Sequence, residues 1–330
     1  MKKIIRAEGF KPRMQIPFKN NIPRPFRAWL LIAVVCSLLF AACSRQTSQQ
    51  GLLIAVSIPP QEWFVSRIAG DKAATLVLAG QGQNPHNYEP TPKQIQSLAA
   101  ARAWVLSGSE FEISLRGKVA SLFPNLLLVD GTEGVRFRLL EPAAERTNVS
   151  EGSPPVDHDH DGDDDHSSLE IDKHTWLGRE PAKILAAHIT DTLSLLDGAN
   201  ADYYFEQYEI LVREIDDEFD KLKIILAPLE GRSVFVYHPS FGYFLDEFGI
   251  HQEAVETGGK EPGPRDLQFL ILRLKEEQAA ALFVQAQFPA NAAKTLAAAV
   301  DAELIALDPL AGNWLDNIRR MGDALQKAAP

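Results

Sequence analysis

The chain holds 330 residues, with 33 Lys/Arg against 44 Asp/Glu and a formal net charge of −11. Residues 1–42 carry eight of the basic residues and one acidic residue, so the remainder stands near −18; this argues against a nucleic-acid surface, which needs clustered Lys and Arg to meet phosphates. Both cysteines, Cys36 and Cys43, fall within the first 43 residues. Disulfides, thiolate metal sites, Fe–S clusters and cysteine catalysis are therefore excluded from the rest, whose stability must come from a hydrophobic core.

The N-terminal segment reads as an export signal. A basic stretch over residues 1–27 is followed by an uncharged apolar run from Ala28 to Ala42, the n-region and h-region of a secretory leader. Fifteen apolar residues are short for a bilayer core of roughly 30 Å. The run closes LLFAAC, a lipobox-like ending with small residues before Cys43, although Phe40 stands where Leu is commoner. The expectation is cleavage before Cys43 and acylation of that residue, with a simply cleaved or uncleaved signal as the alternative. Met14 is a second possible start, because residues 14–43 already form a complete signal.

Residues 43–50 read as a polar tether. Beyond it, short β-branched and apolar runs at 52–58, 75–79, 104–108 and 126–130 read as strands. Helical patterns at 62–71, 91–103 and 112–123 separate them. Residues 141–173 are acidic and almost free of large apolar side chains, and read as a mobile loop. A helical pattern resumes at 180–196. Tyr204, Tyr208, Leu211, Ile215, Phe219, Leu222 and Leu226 then mark one face of a helix held for about six turns, stopped by Pro228. At ~1.5 Å per residue such a helix is about 38 Å long. Strands at 233–238, 281–285 and 304–307 follow, with helices at 264–278, 291–301 and 313–328. The alternation predicts an α/β protein of two lobes, 51–199 and 229–330, each a parallel sheet flanked by helices. A long rigid helix, 200–228, joins them.

Three of the eight histidines sit singly at element boundaries: His86 in GQNPHNYEP, His174 in DKHTWL and His238 in VFVYHPSF. Imidazole with carboxylate is the donor set of a borderline divalent cation, zinc first. Spacing alone leaves open whether these histidines share a site. A further run, DHDHDGDDDH at 157–166, adds His158, His160 and His166 among six aspartates. It reads either as a weak auxiliary metal-binding loop or as a solvated acidic insertion with incidental histidines. His188 and His251 read as ordinary surface or packed residues, and Tyr88, Trp176, Phe241 and Tyr243 as pocket walls or core.

Several segments together resemble the metal-binding solute receptors of bacterial zinc and manganese ABC importers, the cluster A-I family. They are SIPPQEWFVSRIAGDKA, GQNPHNYEPTPKQIQSL, LSGSEFE, DKHTWL, VFVYHPSFGYFLDEFGI, EPGPRDL and LDPLAGNWLDNI, in order along almost the whole chain after the signal. The resemblance implies metal ligands at His86, His174 and His238, and a carboxylate fourth ligand at Asp308, with a water or another carboxylate as the alternative there. Manganese receptors of that family usually carry Glu where this chain has His238, and three imidazoles favour zinc. Two departures stand out: Lys173 replaces the usual Pro before the second histidine, and Gln285 stands where Glu is common.

The resulting expectation is a monomeric, lipid-anchored, extracytoplasmic receptor, in the periplasm or on the cell surface. It would bind Zn²⁺ between its lobes and hand it to an ABC permease, with the membrane lipid held through acylated Cys43 and no nucleic acid involved. The alternatives are a manganese or iron receptor of the same kind and, from another class, a zinc hydrolase. The hydrolase finds no HExxH motif or nucleophile elbow in the sequence. Zinc affinity is expected to fall below about pH 6.5 as imidazoles take up protons.

Overall fold

A computed structural model describes residues 51–140, 171–256, 262–285, 287–288 and 291–328. The signal segment, Cys43, and the 157–166 run with His158, His160 and His166 lie outside the described residues. Gly51–Pro330 forms one compact unit.

Two four-stranded sheets, every neighbouring pair parallel, organise this unit. The first contains β1 (Leu52–Val56), β2 (Ala73–Val77), β3 (Ala103–Leu106) and β4 (Leu127–Asp130), in spatial order β2-β1-β3-β4. Helices α1 (Pro59–Ala69), α2 (Pro92–Ser97) and α3 (Glu110–Leu122) form its crossovers. Two helices follow, α4 (Arg179–Leu196) and α5 (Ala201–Leu226). The second sheet contains β5 (Ser233–Val236), β6 (His251–Ala254), β7 (Ala281–Val284) and β8 (Glu303–Ala306), ordered β6-β5-β7-β8, the same permutation as the first. Its helices are α6 (Gly242–Asp246), α7 (Pro264–Glu276), α8 (Asn291–Val300) and the terminal α9 (Trp314–Lys327).

The long helix forms as its apolar spacing requires. Tyr204, Leu211, Ile215, Phe219, Leu222 and Leu226 are buried, while Tyr208 is half-buried. At ~1.5 Å per residue its 26 residues span about 39 Å. Its buried face belongs to a single core that takes Ile54 and Val56 from β1, Val234 and Val236 from β5, and Trp314, Ile318 and Met321 from α9. Each such side chain removed from water contributes about 1.5–3 kcal/mol, so the core couples both sheets to one helix. The contact with α9 is close: a Cβ on Gly322 would lie 2.3 Å from Leu222 Cδ2. Separate clusters cover the outer faces of the two sheets, around Trp104 and Leu115 in the first and Phe235 and Leu282 in the second.

Two elements are absent from the sequence expectation. β6 reads HQEA, a four-residue edge strand without an apolar run, and it pairs with β5 alone. His251 opens this strand. α6 is a five-residue helix within an aromatic stretch that reads equally well as loop.

Candidate metal centre

In a parallel sheet the loops leaving the C-terminal strand ends supply the binding groups, and here both sheets aim those loops at one cleft. His86 lies on the loop after β2. Gly82, at φ +78, permits a left-handed turn, and the His86 amide donates to Asn84 Oδ1 at 3.0 Å. A capping box at Thr91 and Gln94 starts α2, and Gln94 also donates to the Leu78 carbonyl, which ties the two ends of the loop together.

His174 precedes α4, and its segment is stitched to the second sheet's side of the cleft. The Trp176 indole donates to the Pro309 carbonyl at 2.8 Å, and the Trp314 indole donates to the Trp176 carbonyl at 2.6 Å. His238 lies just past the end of β5, after Tyr237. Gln285, just past β7, brackets it: its Oε1 accepts from the His238 amide at 3.2 Å and its Nε2 donates to the His238 carbonyl at 2.7 Å. The Phe288 ring stacks on the imidazole with centroids 4.2 Å apart.

These loops bring His86, His174 and His238 together, with one ligand atom from each lying within 4.8 Å of the others. His174 and His238 are buried; His86 is about a third exposed and stands at the cleft mouth. Pro85, Lys173, Trp176, Ser240, Gln287 and Leu310 help to line the cleft, which opens to solvent.

Each imidazole is oriented by a carboxylate at Nδ1. Glu110 Oε2 lies 2.9 Å from His86 Nδ1, Asp172 Oδ1 lies 2.8 Å from His174 Nδ1, and Glu256 Oε1 lies 2.8 Å from His238 Nδ1. An ionised carboxylate only accepts, so the proton sits on Nδ1 and the Nε2 lone pair is left to face the cleft. The carboxylates are themselves held. Asp172 is fully buried and accepts from the Arg138 guanidinium at 3.0 Å, while Arg138 also reaches Asp246 on α6. Tyr243 donates to the Asp172 carbonyl and accepts from the Arg138 amide. Glu110 pairs with the Lys173 ammonium at 3.0 Å.

Electrostatics follow this geometry. Burial alone would raise the Glu110 carboxyl, but His86 and Lys173 outweigh it and hold the group at about 2. Burial likewise opposes ionisation of Asp172, yet His174 and Arg138 keep it below the ordinary carboxylate range. Burial dominates at His238 and, with the two neighbouring imidazoles, pushes it down to about 4 despite Glu256. The centre is thus a cluster of three imidazoles, each backed by a carboxylate, a donor set suited to holding a borderline cation.

Asp308, on the loop after β8, stands outside the three-residue cluster. Its Oδ1 accepts from Gln287 Nε2 at 2.7 Å and from the Leu310 amide at 3.0 Å. His188 bonds the Glu133 carbonyl through Nε2. Ile171–Lys173, read from the sequence as the end of a mobile loop, are described: Ile171 bridges Leu139 and Asp172 is buried beneath His174. Of the aromatic residues, Trp176 lines the cleft, Tyr88 packs on Phe111, Phe241 is core, and Tyr243 supports Asp172. The sequence reading did not single out Glu110, Asp172, Glu256 or Phe288. The spacing of Asp172 two residues before His174 was the one local signal for any of them.

A family model described as zinc-uptake complex component A, periplasmic, matches residues 54–328. The chain belongs to this family, ZnuA. A high-affinity zinc uptake system protein ZnuA from Yersinia pestis is 28% identical over 287 residues, covering 86% of this chain and 90% of that protein. A crystal structure of ZnuA superposes with a TM-score of 0.74 at 30% identity, covering 85% of this chain and all of the other. A ZnuA deletion mutant with zinc bound gives 0.73 at 30% identity, with 84% and 98% coverage. The relatives also include a manganese ABC transporter substrate-binding lipoprotein, PsaA, of Streptococcus pneumoniae, 24% identical over 81% of this chain and 84% of that protein. ZnuA-type proteins are substrate-binding receptors of metal importers, not enzymes. Among the described residues no helix is long and apolar enough to cross a membrane.

Proposed function

We propose that the chain is an extracytoplasmic zinc receptor that captures Zn²⁺ on His86, His174 and His238 and delivers it to an ABC permease. The observation that carries this reading is the convergence of three imidazoles, each with its Nδ1 bonded to a carboxylate. Zn–N bonds of about 2.0–2.1 Å in a tetrahedron set neighbouring nitrogens roughly 3.3 Å apart; the Nε2 atoms of His86 and His238 are 3.0 Å apart. Two of the three rings are therefore already near the spacing that zinc requires.

Three nitrogen donors suit zinc better than manganese, which favours oxygen. The fourth position is open to water or to Asp308, whose Oδ1 is held by Gln287 and the Leu310 amide. α5 belongs to the core that joins the sheets, so capture needs little lobe closure. Anchoring through acylated Cys43, a monomeric state, and an auxiliary metal-gathering role for His158, His160 and His166 complete the reading.

The test is uptake. Cells lacking the gene should recover zinc accumulation under chelator stress when supplied with the wild-type chain, and should fail to recover with His238→Ala at equal protein level. Full recovery by the variant would refute the role.

A further inference from the structure

We propose that Lys173 is an affinity-limiting charge: its ammonium, stationed in the cleft beside the histidines, weakens their hold on a divalent cation and speeds its release. This inference rests on the cleft being the zinc site proposed above.

The geometry makes Lys173 unlike the other cation near the centre. Arg138 lies behind Asp172, is only 12% exposed, and is fixed by Asp172 and Asp246. Lys173 instead lines the cleft itself, next in sequence to His174, with its side chain 27% exposed. Its one described ion pair is with Glu110, at 3.0 Å, and Glu110 in turn holds His86 Nδ1 at 2.9 Å. A carboxylate behind an imidazole raises the ring's basicity and its donor strength toward a metal. An ammonium on that carboxylate draws the negative charge away from the ring. It also adds a full positive charge to a cleft whose cargo carries two.

Both effects have the same sign. They oppose what Lys173 would do as a structural strut: if it merely fixed Glu110 and through it His86, its removal would loosen the site. The competing roles therefore predict opposite changes in affinity. A unit charge acting on a divalent cation across roughly 10 Å shifts affinity on the order of fivefold even when the medium between them screens nearly as well as water. Because Lys173 and Glu110 are both partly exposed, salt should screen the interaction.

The test uses the full chain and measures the dissociation constant and off-rate of its tightest zinc equivalent by competition with a chromophoric chelator. Wild type, Lys173→Met and Lys173→Arg are compared at about 0.01 and 1 M salt, where screening lengths differ tenfold. Lys173→Met should bind about fivefold tighter and release more slowly at low salt, with the difference shrinking at high salt. Lys173→Arg, which keeps the charge, should resemble wild type. Unchanged or weaker binding by Lys173→Met, beside wild-type protein that holds one tight zinc, overturns the inference and leaves the receptor reading standing. Absence of a tight, His238-dependent zinc in wild type overturns both.

Discussion

His86 and His238 meet across the cleft with their Nε2 atoms 3.0 Å apart, although 152 residues separate them in the chain. Each ring places its Nδ1 against a carboxylate, Glu110 for His86 and Glu256 for His238, and an Nδ1–H donor to that oxygen is the tautomer the contact favours. Both Nε2 atoms are thereby left as acceptors facing one another. Two facing lone pairs at hydrogen-bond distance repel unless a cation is shared between them. The outer carboxylates therefore suit the pair to sharing a cation, and the His174 ring stands beside both, its centroid 5.4 and 5.2 Å from theirs.

Glu256→Gln should weaken zinc binding by about tenfold to a hundredfold, the usual range for loss of a carboxylate behind a metal-bound imidazole. Glu110→Gln should cost less, because that pair is about a third exposed while Glu256 is almost fully buried. Competition with a chelator measures both, and equal zinc affinity in wild type and Glu256→Gln would show that the carboxylate does not tune its ring.

The two-sheet plan was legible because buried parallel strands are short apolar runs, and TLVLA, WVLSG and SVFVYH are unmistakably that. The seven-residue stripe from Tyr204 to Leu226 fixed the long helix for the same reason: burial on one face enforces the 3.6-residue period. β6 was not legible, since HQEA at a sheet edge needs no apolar pattern to pair with β5. The histidines were visible as isolated residues beside turns. Their carboxylate partners were not, because Glu110 and Glu256 come from different strand ends, and only folding sets them 2.9 and 2.8 Å from the rings.

Acid should destabilise the metal-free protein through His238. Its folded-state pKa of about 4 lies below the ordinary 6.5, so between these values the unfolded chain binds a proton that the folded chain refuses. Stability is unaffected by this group above pH 6.5, falls as pH drops from 6.5 to 4, and loses nothing further below. The full loss is on the order of 3 kcal/mol. Denaturant unfolding of wild type and His238→Asn at pH 7 and pH 4.5 should show a steeper acid loss in wild type. Parallel losses would contradict the assignment.

Gly242→Ala should disturb the site from the outside. A Cβ at Gly242 would stand 2.0 Å from Arg138 Nη1 and 2.3 Å from its Cζ, so the guanidinium must move and Asp172 loses its cation. A loss of about 1–3 kcal/mol in stability is expected, together with weaker zinc binding through His174. Gly198→Ala, where a Cβ meets nothing within 4 Å, is the control. Thermal unfolding and zinc titration of the two variants separate the outcomes, and identical behaviour would rule out Arg138 as the support of Asp172.

Asp308→Ala should weaken zinc binding far less than alanine at any of the three histidines. Asp308 stands outside the three-histidine cluster, and a water can take the fourth tetrahedral position. Zinc titration of the four alanine variants side by side checks this. A loss at Asp308 equal to that at His238 would make the carboxylate a full ligand.

The central claim, that one tight zinc is held by the three histidines of the cleft, is tested most directly by metal content. The full chain, His238→Ala, and a deletion of residues 157–166 would each be purified, loaded with zinc and dialysed against a weak chelator. One zinc retained by wild type and by the deletion, and none by His238→Ala, is the predicted result. Retention of that zinc by His238→Ala, or its loss on deleting 157–166, would contradict the account.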